Sequence, residues 1–271
     1  LEYFAAQGVT VKVISGDKAM IAGFVISGSQ SKSVLVRASG PTLTGYGLSG
    51  AMDDPVLKIY RGQDVILSND NWSTSADASL IASTAARVGG FAQQSGSKDA
   101  ALITSLTPGV YSAQVTRADG SATGVALVEV YDASVAPGAE VQKVINISTR
   151  GEVGTGEKIM IAGFVVSGNA PKRVLIRAVG PTLGGYGVTG TLADPLLKLY
   201  QGETVIASND DWGTIGSAAS DAAALVGAFP LNAGSKDAAL LLTLAPGVYS
   251  AQVSGVGGTT GVALIEVYEV P

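Results

Sequence analysis

One stretch decides how this sequence folds, and it occurs twice, as Pro108-Gly-Val-Tyr-Ser-Ala-Gln-Val115 and as Pro246-Gly-Val-Tyr-Ser-Ala-Gln-Val253. In each copy Pro-Gly opens a tight turn, because proline fixes its own φ and glycine accepts a positive φ. Tyr249, Ala251 and Val253 then alternate with the residues between them, which is the period of a half-buried strand. The stretch therefore predicts a strand entered from a turn, and it predicts it twice.

The duplication extends over nearly the whole chain. Ile21-Ala-Gly-Phe-Val25 recurs 140 residues later as Ile161-Ala-Gly-Phe-Val165, and the offset falls to 138 and then 137 toward the end of each copy. A period this long far exceeds the roughly 20–50 residues of solenoid repeats, so each copy should have its own core. We therefore predict domains at 1–132 and 141–271, joined by a short semi-rigid linker at 133–140.

Within each copy, turn residues interrupt short apolar runs about every ten positions, a spacing typical of a β-sandwich. One Ala-rich segment per copy, Ser75–Val88 or Ser217–Ala228, predicts a short helix crossing one end of the sandwich. The strands predicted in the second copy lie near Val141–Ser148, Lys158–Val166, Arg173–Val179, Leu196–Tyr200, Thr204–Ala207, Ala238–Thr243, Val248–Ser254 and Val262–Tyr268.

The composition argues against several classes of function. The chain of 271 residues has 17 Lys and Arg against 22 Asp and Glu, with no basic cluster to attract nucleic acid or an anionic membrane surface. Cys and His are both absent, which removes thiolate chemistry, the usual general base and the commonest transition-metal ligand. No apolar run approaches the roughly 20 residues of a membrane-spanning helix. We expect no enzymatic activity, no cofactor other than a candidate calcium ion, no nucleic-acid partner and no membrane span.

The second half of each copy, from Asp54 to Tyr131 and from Asp194 to Tyr268, resembles the bacterial pre-peptidase C-terminal domain. The shared pattern is D-P-x-L-x-(I/L)-Y, then S-N-D-x-W, S-x-D-A-A-L and L-x-P-G-x-Y-x-A-x-V before a closing strand. The resemblance implies a non-catalytic jelly-roll-like sandwich of secreted bacterial proteins, sometimes associated with calcium. Each copy also carries an added N-terminal region, I-A-G-F-V-x-S-G followed by V-L-x-R-A-x-G-P-T-L, and no peptidase is attached.

The predicted fold class is therefore all-β, with two tandem jelly-roll-like antiparallel β-sandwich domains that each carry one short helix. The chain begins at Leu1 rather than Met, as a processed chain would. We expect an extracellular or cell-surface protein from which a signal peptide has been removed.

Oxygen-bearing side chains in the D-P and S-N-D-x-W motifs are candidate calcium ligands, since Ca²⁺ takes roughly six to eight oxygens in irregular geometry. The favoured alternative is a turn in which Asn and Asp bond to nearby backbone and the following Trp packs on the sandwich. The spacing lacks the regular every-second-residue ligands of an EF-hand loop. The candidate ligands are Asp54, Asn69, Asp70, Asp194, Asn209, Asp210 and Asp211.

The Ser-Lys-Asp motif has two interpretations. Asp99 and Asp237 each follow a lysine at a strand entrance, which predicts a surface ion pair of little energetic weight. A catalytic dyad of Ser97 and Lys98 is the alternative, because burial lowers the pKa of a lysine. Adjacent residues on a strand point to opposite faces, which disfavours the dyad.

Aromatic and glycine-rich segments also admit more than one interpretation. Sugar rings stack on aromatic faces, but anchoring of the core is the favoured role. The glycine-rich loops at 40–47 and 180–187 lack the Lys-Ser/Thr of a phosphate-binding loop and predict long ordered loops. The aromatic residues concerned are Trp72, Trp212, Tyr46 and Tyr186.

The two copies differ at their beginnings. Val144–Arg150 looks like a first strand, whereas the corresponding residues of the first copy do not match it. We therefore predict that the first domain lacks an ordinary first strand and that Leu1–Ile14 pairs with a neighbouring subunit, since an unpaired edge invites strand addition. The predicted subunit interface comprises Tyr3, Phe4, Val9, Val11 and Val13.

Together these features favour a secreted bacterial structural protein that assembles head to tail with copies of itself. Strand or edge complementation between the second domain of one chain and the first domain of the next would give an extracellular filament or surface array. The alternative is a calcium-dependent adhesion module that binds a glycan or a matrix protein.

Overall fold

The computed structural model describes residues 4–5, 9–13, 20–120, 124–134, 143–166 and 168–271. The described residues divide into two compact units, one within 5–145 and the other comprising 146–271 together with Phe4, and we call them the first and second domains. The predicted linker at 133–140 lies mostly outside the described residues, so its boundaries remain a prediction.

Seventeen strands and two α-helices are present in the described part of the chain. The first copy of the repeat contains β1 (Phe4–Ala5), β2 (Val9–Val13), β3 (Met20–Ser27), β4 (Lys32–Ser39), β5 (Pro55–Arg61), β6 (Asp64–Asn69), α1 (Ala78–Arg87), β7 (Ala100–Leu106), β8 (Gly109–Arg117) and β9 (Gly124–Asp132). The second copy contains β10 (Lys143–Val153), β11 (Met160–Val166), β12 (Lys172–Val179), β13 (Pro195–Gln201), β14 (Thr204–Asn209), α2 (Ser217–Leu225), β15 (Ala238–Leu244), β16 (Gly247–Gly255) and β17 (Gly261–Val270).

Each domain is a sandwich of two antiparallel sheets. The strand orders are β2-β9-β4-β7 and β3-β8-β5-β6 in the first domain, and β10-β17-β12-β15 and β11-β16-β13-β14 in the second. Counted from the first strand of each domain, both orders read 1-8-3-6 and 2-7-4-5, which is a jelly roll. The predicted all-β fold class is confirmed, and each strand predicted in the second copy is present.

The sandwich core follows from the alternation that the sequence displays. In β3 every second residue is buried, and the same holds along β8. Phe24 lies opposite Tyr111 in the strand register, and their rings stack with centroids 5.6 Å apart. Phe164 and Tyr249 repeat this pair in the second domain at 5.5 Å.

The first domain has a first strand of its own, contrary to the prediction. β2 pairs with β9, and Val13 lies opposite Gly124 as Val153 lies opposite Gly261. The sequence mismatch hid the role of this segment as the first strand of its domain, because ladder pairing uses backbone groups and tolerates different side chains. The basis for an interface at Val9, Val11 and Val13 is therefore wrong, since this strand pairs within its own domain. Phe4 falls in β1, and Tyr3 lies outside the described residues.

Each α-helix lies on the outer face of a sheet, whereas the sequence predicted that it crosses one end of the sandwich. Ile81 and Ala85 of α1 pack against Leu35 of β4 and Tyr131 of β9. α2 packs in the same way on β12 and β17. We call β2-β9-β4-β7 and β10-β17-β12-β15 the helix-bearing sheets, and the other sheet of each domain the second sheet. Neither helix, nor any other in the described residues, has the length and apolarity to cross a membrane.

Candidate functional site

The aspartate of the Ser-Lys-Asp motif is buried, and the prediction of a surface ion pair is wrong. Asp99 is inaccessible to solvent, and its Oδ1 accepts a hydrogen bond from the Gly40 N–H at 2.7 Å. Its Oδ2 accepts the Ser97 hydroxyl at 2.5 Å and the Thr42 hydroxyl. Asp237 makes the same set of contacts in the second domain. This carboxylate therefore fixes the Gly-Pro-Thr loop to the start of the next edge strand.

The glycine of that loop is required by a close backbone approach. A Cβ at Gly40 would lie 2.1 Å from the Met52 carbonyl oxygen, and one at Gly180 would lie 2.1 Å from that of Leu192. The loop itself forms a 3-10 helix, Pro41–Tyr46 or Pro181–Tyr186. The predicted ordered loop thus serves to receive the buried carboxylate.

The lysine of the motif points away from Asp99. Lys98 is 60% exposed and hydrogen-bonds Asp54, and Lys236 bonds Asp211 Oδ2 at 3.0 Å. The hydrogen bond with Asp54 raises the pKa of Lys98 above its usual value, and Asp211 does the same for Lys236. A lysine base needs a lowered pKa, so the geometry is opposite to that of a Ser-Lys dyad.

The asparagine of the S-N-D-x-W motif closes the edge of the sandwich. Asn69 Oδ1 accepts the Ala101 N–H of edge strand β7 at 3.0 Å, and Asn209 Oδ1 accepts the Ala239 N–H at the same distance. The side-chain amide of Asn209 also donates to the Asp211 carbonyl at 3.1 Å. We call the hydrogen bond that the asparagine Oδ1 accepts from the alanine N–H of the edge strand the Asn latch. The bond from the Asn209 amide to the nearby Asp211 carbonyl is the contact that the turn interpretation predicts, whereas the bond to the edge strand was not predicted.

The calcium candidates do not converge on one ion. Asp54 and Asp211 each bond a lysine, while Asp70 and Asp210 are exposed. Asp194 is half-buried, and its carbonyl accepts the Val256 N–H. No three His, Cys, Asp or Glu in the described ranges lie close enough together to hold a metal. The described carboxylates therefore form no cluster of the kind that calcium needs, and the calcium site stays a prediction.

The four aromatic candidates divide into two pairs. Trp72 is a core residue, as predicted, and Trp212 is half-buried. Tyr46 is 66% exposed and Tyr186 59% exposed, so the core assignment is wrong for the tyrosines. Each tyrosine ring contacts one phenylalanine, at centroid distances of 5.3 Å and 4.9 Å.

A buried charged network that the sequence analysis missed joins the helix-bearing sheet to the loop after each helix. Arg177 donates through Nε to Glu266 Oε2 at 2.8 Å and through Nη1 to the Phe229 carbonyl at 2.6 Å. The Tyr268 hydroxyl donates to Glu266 Oε1 at 2.7 Å. The guanidinium also lies over the Phe229 ring, 4.6 Å from its centroid. The available signal was a charge repeated within otherwise apolar runs, in V-L-x-R-A and E-V-Y.

The first domain repeats this network with one difference. Arg37 Nε lies 2.9 Å from Glu129 Oε2, an ion-pair distance without hydrogen-bond geometry, and Tyr131 donates to Glu129 at 2.5 Å. Burial raises the pKa of Glu129, and the charge of Arg37 opposes that rise. Burial also raises the pKa of Tyr131 and of Tyr268, and the neighbouring glutamate adds to both shifts.

A small cleft lies between each helix and its sheet, beside this network. The cleft of the first domain has a volume of about 130 Å³ and includes Arg37 and Trp72 in its lining. The cleft of the second domain has about 160 Å³ and includes Arg177 and Trp212. Alanines of α1 and α2 form much of the remaining wall.

The outer face of each second sheet carries a row of apolar side chains, of which two are exposed and two are half-buried. Val25 lies opposite Val110 in the strand register. Tyr60 lies opposite Ser112 on one side and Val65 on the other. Because Val110 is two residues before Ser112 on the same face of β8, it is the diagonal neighbour of Tyr60. The row therefore crosses all four strands, since opposite and diagonal residues on one face are neighbours. Val110 is 69% and Val65 50% exposed. We call this row the first stripe.

The second domain has the equivalent row, which we call the second stripe. Val165 lies opposite Val248, and Tyr200 lies opposite both Ser250 and Val205. Val248 is 63% exposed and Val205 45%. Each chain thus presents the same apolar surface feature twice.

Comparison with known proteins gives only distant likenesses. No family model and no curated protein matches the chain. It is similar to the tandem CBM51 modules of a family 98 glycoside hydrolase from Streptococcus pneumoniae, with 8% identity, 97% of this chain and 84% of that chain covered, and a TM-score of 0.27. It is also similar to the STIV MCP, with 13% identity, 100% and 95% covered, and a TM-score of 0.23. A structure from Sulfolobus Turreted Icosahedral Virus matches at 15% identity, 100% and 89% covered, and a TM-score of 0.20. At these levels the likenesses carry no argument about function.

Proposed function

We propose that the chain is a non-catalytic structural protein of the bacterial cell exterior that associates with copies of itself through the two stripes. The observation that carries this proposal is the occurrence of an equivalent apolar row, with two exposed valines, on the outer face of a sheet in both domains. Contiguous exposed apolar surface marks interaction sites on soluble proteins. Two sheets pack face to face when apolar side chains from both faces interdigitate, and a stripe of valines and tyrosines suits such packing.

A second copy of the chain is the occupant that suits each stripe best. The two stripes have the same residue types at the same register positions, so either can meet its own counterpart in an isologous contact. A subunit with two such surfaces joins two neighbours and continues into an open chain of subunits. This supports a filament or array as the assembled form.

Packing between faces replaces strand addition as the mode of association. The outer strands β6 and β14 each contain a bulge, where Ile66 or Ile206 has no partner in the register. A bulge in an edge strand twists it away from further pairing. The sheet faces are therefore better suited to contact between subunits than these edges.

The non-catalytic part of the proposal rests on how polar groups are used. Asp99, Ser97 and their counterparts bond to one another or to backbone, and Glu129 and Glu266 are paired with buried arginines. A relationship with secreted pre-peptidase C-terminal domains belongs to the same proposal. Its support is that the S-N-D-x-W and S-x-D-A-A-L motifs have structural roles in both copies.

Negative-stain microscopy of the full chain tests the proposal. We expect linear or sheet-like assemblies for the unaltered chain and isolated particles for the double variant Val110→Lys/Val248→Lys, because lysine places a charge in each stripe. The matched control is Leu80→Lys/Leu225→Lys, since these helix residues are also exposed, at 52% and 63%, but lie outside the stripes. Assemblies that survive the first variant, or isolated particles from the unaltered chain at high concentration, would contradict the proposal.

Glycan binding is a second candidate, favoured by the exposure of Tyr46 and Tyr186. Exposed aromatic faces suit the apolar faces of sugar rings. Binding to immobilised polysaccharide should then be lost in Tyr46→Ala/Tyr186→Ala and should be unchanged by a calcium chelator. Equal retention of the double variant and the unaltered chain would exclude this candidate.

A further inference from the structure

The two clefts beneath the helices have diverged at their linings. Ile81 in the first cleft corresponds to Ala219 in the second, and Gln93 corresponds to Leu231. Alanine in place of isoleucine enlarges the cleft of the second domain, and leucine in place of glutamine makes its wall more apolar. The buried Arg and the Trp are kept in both. The second cleft is therefore the larger and less polar version of a shared feature.

The polar groups at the second cleft are already engaged. Arg177 is 1% exposed and is bonded to Glu266 and to the Phe229 carbonyl. The Trp212 indole N–H donates to the Ser235 hydroxyl at 3.1 Å. A charged ligand would find no unpaired opposite charge in this wall, and burying an unpaired charge is unfavourable. Ser220, which is exposed, is the remaining polar side chain of the lining.

The size of the cleft limits its ligand to about one ring. A volume of about 160 Å³ is close to that of apolar cavities of roughly 150 Å³ known to hold a benzene molecule. An aromatic ring gains further from the neighbouring indole, since aromatic rings attract one another in edge-to-face and offset geometries.

We propose that the cleft of the second domain is a binding site for a small uncharged aromatic compound. Its ring lies among Trp212, Leu231 and the alanines of α2, and a hydroxyl on such a compound reaches Ser220 at the mouth. This site goes beyond the structural role proposed above and does not depend on self-association.

The intrinsic fluorescence of the full chain provides the first readout. Trp72 and Trp212 are its two tryptophans, and one lines each cleft. We expect a saturable change in fluorescence, with matching heat in calorimetry, on titration with benzyl alcohol. Benzoate, which has the same ring and a negative charge, should bind about tenfold more weakly or worse.

Two matched variants assign the site. Ala224 is an exposed residue of the cleft wall on α2, and Ala86 is its equivalent on α1. Ala224→Leu should fill the second cleft and weaken binding of benzyl alcohol about tenfold or more, while Ala86→Leu should leave it unchanged. Circular dichroism checks that both variants are folded. Absence of saturable binding, equal binding of benzoate, or equal effects of the two variants would overturn the assignment.

Discussion

The buried aspartate of S-x-D-A-A-L accepts four hydrogen bonds in each domain. Asp237 accepts hydrogen bonds from the Gly180 and Thr182 N–H groups and from the hydroxyls of Thr182 and Ser235. An acceptor with four donors around it cannot be replaced by an amide, whose NH₂ group would face a donor. Removing such an acceptor leaves buried groups unsatisfied.

We therefore expect Asp237→Asn to lower the free energy of unfolding of the second domain by about 1–3 kcal/mol. Urea unfolding of chains that also carry Trp72→Phe, followed by the fluorescence of Trp212, measures this, because the backbone N–H of Trp212 donates to the Asp237 carbonyl. Lys236→Ala, which removes the exposed neighbouring ion pair, should leave the midpoint nearly unchanged. A larger effect of Lys236→Ala than of Asp237→Asn would contradict the buried anchor.

The buried tyrosines predict loss of stability in alkali. The pKa values of Tyr131 and Tyr268 are raised in the folded state. Their contribution to the free energy of unfolding is therefore complete below the usual tyrosine pKa of about 10. Above that pH the unfolded chain releases phenolic protons that the folded chain retains, and the free energy of unfolding falls. Tyrosinate absorbance should show these two of the nine tyrosines ionising only as the fold is lost. Reversible ionisation of all nine in the folded protein would contradict this.

Sequence reasoning recovered few of these residue roles, for a physical reason. The sequence predicted Asp99 to be a surface residue because its motif contains an adjacent lysine and serine. Its burial depends on donors from Gly40 and Thr42, which are distant in sequence. The network around Arg37 was missed because its partner Glu129 lies on another strand. A lone charge in an apolar run shows that a partner must exist without showing which one.

At the scale of elements, the Asn latch joins the end of β14 to the edge of β15. Asn209→Ala should leave the fold intact but raise the rate of hydrogen exchange of the Ala239 amide, because that N–H loses its acceptor. Mass spectrometry of peptic fragments, or NMR, measures it, and Asn69→Ala should act only on Ala101 in the first domain. A calcium chelator should not alter either rate. An increase in exchange on adding chelator to the unaltered chain would show that a metal, rather than the latch, holds this turn.

The elements themselves were largely predictable. Turn residues and period-2 alternation marked the strands of the second copy, and the Ala-rich segments marked the helices, because these signals are local. The layer on which each helix lies was not predictable, since either sheet face or an end would bury its alanines. The partner of β2 was missed for a related reason. Its pairing with β9 depends on backbone groups, and its side chains differ from those of β10.

For the whole molecule, duplication matters most where exposed residues are repeated. Repeated buried residues follow from two copies of one fold. Val110 and Val248 are exposed, so burial within their own domain contributes little to stability at these positions. A valine nevertheless stands at this position in each stripe. We therefore place the function of the chain on this repeated surface. Under this proposal, the number of stripes determines the number of neighbours that each subunit can bind.

Sedimentation of stripe variants over a range of protein concentrations tests this claim most directly. The unaltered chain should increase in average mass without a limit at the dimer, since two stripes per subunit permit an open assembly. Val248→Lys alone should stop at the dimer, because one stripe remains, and Val110→Lys/Val248→Lys should stay monomeric. A monomer at every concentration for the unaltered chain, or continued growth of the double variant, would contradict the account.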